Sequence, residues 1–60
     1  MLTTEALERI FDDIALSIDT VGDRNESLFL TKLALALANQ LSDEMLVRAQ
    51  VALARRHLQA

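Results

Sequence analysis

Residues 28–41 constrain the fold more than any other part of the chain. Leucine and alanine fill most of this segment, and on a helix they would cover more than one side. A helix that is apolar on several sides must be covered from several directions, by other helices of the same chain or by another chain. We therefore expect a helical protein in which this segment is packed on two sides.

The chain is too small to stabilise itself easily. It has 60 residues, enough for a single helical domain over residues 1–60, and a chain of this size buries only about 60% of the surface of its unfolded form. With no cysteine and one histidine, it has neither disulfides nor the ligands of a structural zinc site. The absence of proline and the excess of helix-forming residues favour an all-α fold. We expect helix packing combined with self-association into at least a dimer.

Capping residues mark the first two helices. Thr3 suits an N-cap and Gly22 a C-terminal end, which predicts a first helix over about 4–21. Asp23 and Glu26 have the spacing of a capping box, which predicts a second helix over about 24–41. The turn between them is so short that the two helices should form an antiparallel hairpin.

A third helix should follow immediately. Ser42 is suited to its N-cap, and the apolar spacing that follows predicts a helix over about 43–58. The expected architecture is therefore an antiparallel helical hairpin extended by a third helix, which is a small three-helix bundle.

The second helix has two apolar stripes. The main stripe consists of Phe29, Leu30, Leu33, Leu37 and Leu41. The other, called the second stripe below, consists of Leu28, Lys32, Leu35 and Asn39. In the first helix, Leu16 lies outside the apolar stripe, on the side that carries the acidic residues. We predict that the chain self-associates through this excess apolar surface of the second helix. Leu16 and the second stripe should form an interface, in which Asn39 either sets the register or is a surface amide.

Residues 32–43, continuing through 48–55, resemble a family of short bacterial proteins catalogued as a domain of unknown function. The shared pattern is a leucine-rich helix ending in Leu-Ala-Asn, a two-residue gap, a small residue and aspartate, and then an alanine-rich helix. The chain has Ser42 where the family would have glycine. Members are often encoded beside flavin-dependent monooxygenases of aromatic catabolism, so the resemblance implies an accessory role and no catalytic residues.

The polar residues do not form a pattern typical of catalysis. Glu8, Asp12, Asp13 and Asp19 lie away from the apolar stripe of the first helix and lack the Glu-x-x-His pairs of carboxylate metal sites. His57 has no cysteine or second histidine as a partner and is expected to cap a helix or lie in an interface. We expect no catalytic, cofactor-binding or metal-binding residues.

Charge and length also argue against nucleic-acid and membrane partners. The net charge of −3 opposes DNA binding through Arg48, Arg55 and Arg56, because affinity for DNA depends on neutralising phosphates. As a helix, residues 28–41 would span about 21 Å, less than a bilayer core of about 30 Å. The amino terminus lacks the features of a signal peptide, so a cytoplasmic location is expected.

These observations favour a non-catalytic accessory or adaptor protein that docks a helix face onto a larger enzyme, for which the resemblance suggests a flavin-dependent monooxygenase. Two alternatives remain. An acidic inhibitor or antitoxin-like protein would use the negative surface to mask a basic one. The other alternative is a homo-oligomer with a pocket for an apolar ligand.

Overall fold

The computed structural model describes residues 1–58, which form three α-helices and no strand. Helix α1 spans Thr4–Val21, α2 spans Glu26–Leu41 and α3 spans Glu44–Ala54, with a turn of 3-10 helix over Asp23–Asn25. The all-α fold with three helices is therefore confirmed. No helix in this part of the chain is both long enough and apolar enough to cross a bilayer.

Both ends of α1 lie where capping chemistry places them. The Thr3 hydroxyl accepts a hydrogen bond from the Ala6 amide at 3.0 Å, and Gly22 ends the helix while its amide donates to the Ile18 carbonyl at 3.0 Å. Gly22 has φ 84° and ψ 162°, a backbone conformation that essentially only glycine adopts. The position of Gly22 therefore determines both where α1 ends and the direction in which the chain continues.

The start of α2 differs from the expectation. Asp23 and Glu26 do not form a capping box, because residues 23–25 make a 3-10 turn and α2 begins only at Glu26. The turn is held by Asn25, whose amide donates to the Gly22 carbonyl at 3.0 Å and whose side chain donates to the Val21 carbonyl at 3.2 Å. The side chain of Asn25 thus satisfies a carbonyl that the end of α1 would otherwise leave free.

The turn between α2 and α3 also corrects an expectation. The N-cap of α3 is Asp43, whose carboxylate accepts from the Leu46 amide at 3.0 Å, and not Ser42. Ser42 is the C-cap of α2, with a left-handed backbone at φ 57°, and its hydroxyl donates to the Asn39 carbonyl at 3.0 Å. Helix α3 ends at Ala54 rather than near residue 58, and His57 follows in a turn with φ 64°.

We expect Ser42→Gly to stabilise the protein. A left-handed backbone costs a non-glycine residue about 1–2 kcal/mol, and glycine removes this cost while losing the hydroxyl bond to Asn39. The net gain in the free energy of unfolding should be about 0.5–1 kcal/mol by chemical denaturation. Ser42→Ala is the matched control, because it loses the same hydrogen bond without relieving the backbone and should lower stability. A gain with alanine would contradict this interpretation of the turn.

The three helices form an open layer with α2 in the middle. Both α1 and α3 contact α2, but α1 and α3 do not contact each other in the described part of the chain. Throughout residues 1–58, Cα atoms of residues twelve or more positions apart are more than 8 Å from one another. The helices therefore meet closely only near the turns that join them, and a cleft separates each pair beyond the turn.

No residue in the described range is buried. The chain exposes 5727 Å², whereas a compact protein of 6.7 kDa exposes about 3,900 Å². The radius of gyration is 12.9 Å, against about 10 Å for a compact chain of this length. The secondary structure is complete in the single chain, but the hydrophobic core is not.

Candidate protein-protein interfaces

The first cleft lies between α1 and α2 and is almost entirely apolar. It has a volume of about 360 Å³. It is lined by Ile10, Ile14 and Ser17 of α1 and by Phe29, Leu33 and Leu37 of α2, with Asp13 as its one charged residue. Each helix contributes residues over about two turns, as expected for two helices running side by side. The main stripe of α2 and part of the apolar stripe of α1 therefore meet along this cleft without closing it.

The second cleft lies between α2 and α3 and has a volume of about 300 Å³. It is lined by Ala34, Ala38 and Leu41 of α2 and by Val47, Val51 and Ala54 of α3, together with Leu37 and Gln50. None of the residues lining this cleft carries a charge. The small alanine side chains leave room along it for side chains from another helix.

Leu37 lines both clefts, so both open on the same side of α2. We call this side of the layer the front face, and its large apolar residues are Ile10, Ile14, Phe29, Leu33, Leu37, Leu41, Val47 and Val51. Leu37 is 56% exposed and Leu41 is 53% exposed, although both belong to the main stripe of α2. The front face is thus a contiguous apolar surface that extends over all three helices.

The second stripe lies on the other side of α2. Leu28 and Leu37 are nine residues apart, which at 3.6 residues per turn places them about 180° apart around the helix. Leu28 and Lys32 line a depression of about 480 Å³ at the α1–α2 turn, and Leu35 and Asn39 line another of about 500 Å³ at the α2–α3 turn. The structure therefore places all four predicted residues on one face, divided between its two ends.

All five predicted interface residues are exposed in the single chain. Leu28 is 59% and Leu35 is 66% exposed, and Lys32 and Asn39 are also exposed. Leu16 is exposed in α1 and lines neither of the two depressions.

The front face is the site that the sequence interpretation missed as an interface. The predicted interface consisted of Leu16 and the second stripe, and it included none of the residues of the front face. The signal that could have identified it is the number of stripes, since three amphipathic helices in 60 residues offer more apolar surface than one layer can cover. Gln50, which lines the second cleft, also lies within the apolar side of α3.

Acidic side chains do not converge anywhere in residues 1–58. No group of three or more histidine, cysteine, aspartate or glutamate residues in this range has the geometry to hold a metal ion. Glu8, Asp12, Asp13 and Asp19 are all exposed. The expectation that all four lie away from the apolar stripe of α1 was wrong for Asp13, which lines the first cleft beside Ile10 and Ile14. An ion pair joins Arg48 and Glu44 at 3.6 Å, one turn apart on α3, and both side chains are largely exposed to solvent. Such a pair adds little to stability.

Comparison of the chain with protein-family models, with curated proteins and with solved structures gives no match.

Proposed function

We propose that this chain is a non-catalytic accessory or adaptor protein of the cytoplasm that docks onto a larger protein by helix packing. The observation that carries the proposal is the exposure of Leu28 and Leu35 on the face of α2 opposite the front face. Large apolar side chains grouped on a surface typically mark a site of protein interaction. Leu28, Leu35 and Leu16 serve as the apolar anchors, while Lys32 and Asn39 supply the polar contacts that orient the partner.

The resemblance of residues 32–43 and 48–55 supports a flavin-dependent monooxygenase as the larger protein. An accessory subunit of this kind needs no reactive groups of its own. Its contribution is to bind the enzyme and hold it in one conformation or assembly, since a ligand shifts an equilibrium only through its different affinity for the two states.

We expect Leu35→Glu to abolish binding to the larger enzyme. A carboxylate at this position would be desolvated in the complex without a partner, which should weaken binding at least about a hundredfold. The measurement is co-purification of a flavin-dependent monooxygenase with the chain, detected by its flavin absorbance. Met45→Glu is the matched control, because Met45 is 75% exposed and lies outside both the front face and the second stripe. Equal retention of the enzyme by both variants would contradict the proposal.

A second candidate is supported by the surface of α1, where Glu5, Glu8, Asp12 and Asp19 are exposed. An acidic inhibitor or antitoxin-like protein would present such a surface to a basic partner. Binding of that kind weakens steeply as salt is added and does not depend on Leu35, whereas docking through the second stripe depends on Leu35 and only weakly on salt. The Leu35→Glu measurement at low and high salt therefore separates the two functions.

A further inference from the structure

We propose that the front face is covered by the front face of a second copy of this chain, in a dimer with two-fold symmetry. The sequence interpretation assigned self-association to the excess apolar surface of the second helix. The structure points instead to the side on which both clefts open. The second stripe then remains free for the larger protein, and only this last assignment rests on the proposed function.

The excess of exposed surface on the single chain matches the area that a second copy of the chain would bury. The single chain exposes about 1,800 Å² more than a compact protein of its mass. A standard protein interface removes about 800 Å² from each partner, and obligate homodimers remove about 1,000–2,500 Å². This excess, which counts the whole surface of the chain, is therefore large enough for an obligate interface in which each copy supplies the other half of the core.

The charge distribution favours a second copy over a chain of opposite charge. Each copy has a net charge of −3, so two copies associate well only through a surface almost free of acidic groups. The front face meets this condition, since Asp13 is the one charged residue that lines either cleft. A basic partner would gain little from the front face and would be attracted to the outer side of α1.

The arrangement of the front face allows two copies to pack against each other. The middle helix forms a ridge that includes Leu37 and Leu41, and an apolar cleft runs along each side of it. In a two-fold interface the same patch is used twice, so the ridge of one copy can lie in a cleft of the other and the reverse holds by symmetry. Leu37, which lines both clefts, then lies near the two-fold axis.

The test compares Leu37→Glu with Leu35→Glu in the purified chain, with no other protein present. The two leucines lie two residues apart on α2 and have similar exposure, so they differ mainly in the face they occupy. By sedimentation equilibrium, Leu37→Glu should raise the dissociation constant of the dimer at least about a hundredfold, whereas Leu35→Glu should change it less than about threefold. A dimer broken by Leu35→Glu but kept by Leu37→Glu would overturn the proposal, as would a wild-type chain that is a folded monomer.

A second readout avoids the possibility that Leu37→Glu unfolds the chain. The sequence contains no cysteine, so a single introduced thiol reports on one position only. A short bifunctional thiol reagent should cross-link Leu37→Cys into covalent dimers and should leave Leu35→Cys mostly monomeric. The opposite result would overturn the assignment of faces. Because these experiments omit the larger protein, a failure here is distinguishable from a failure of the accessory function, which would appear only in the co-purification.

Discussion

The thermal midpoint of unfolding should rise with the concentration of the chain. For a dimer that unfolds to two separate chains, each tenfold increase in concentration adds about 1.4 kcal/mol to the stability of the folded dimer. Over a hundredfold range, the midpoint followed by far-ultraviolet circular dichroism should rise by about 10 °C. At the lowest concentrations much of the helicity should be lost.

The physical reason is the small amount of surface that the single chain buries. It hides only about 40% of the surface of its unfolded form, whereas a chain of this size normally hides about 60%. With no buried side chain in residues 1–58, the loss of conformational entropy on folding is not offset by a hydrophobic core. A midpoint that stays constant over the same concentration range would mean that the monomer is stable by itself and would contradict the dimer.

The three helices could be predicted from the sequence because their signals are local. Thr3 and Gly22 act through residues no more than four positions away, and both lie where the sequence places them. At the second turn the choice between Ser42 and Asp43 depended on backbone geometry that the sequence does not contain. Both side chains can cap a helix, and only the left-handed backbone of Ser42 assigns it to the end of α2.

The arrangement of the helices could not be predicted in the same way. The two stripes of α2 follow from the helical period, but the period does not say which stripe meets another helix of the same chain. Leu37 belongs to the main stripe and not to the predicted interface, and the structure leaves it 56% exposed between two clefts. The exposure of Leu37 depends on whether α1 and α3 pack against each other. That packing is a property of all three helices together and not of any short segment.

Replacing Gly22 with alanine should destabilise the protein more than any other single change in the turns. Gly22 has φ 84° and ψ 162°, a region in which an L-residue with a Cβ atom is held at a cost of about 1–3 kcal/mol. Each copy in a dimer would bear this cost, so the free energy of unfolding should fall by about 2–6 kcal/mol per dimer. The measurement is chemical denaturation at a fixed chain concentration.

The loss of stability caused by the backbone conformation can be distinguished from one caused by a steric clash of the added methyl group. A Cβ atom added at Gly22 would meet no other atom within 4 Å, so the expected loss comes from the backbone conformation alone. A chain of 60 residues is within reach of chemical synthesis, which allows D-alanine at position 22 as the matched control. D-alanine adds one methyl group but prefers positive φ, so it should keep or raise the stability by restricting the unfolded chain. Equal destabilisation by both forms of alanine would contradict this interpretation. The turn between α1 and α2 would then be fixed by contacts other than the backbone conformation of Gly22.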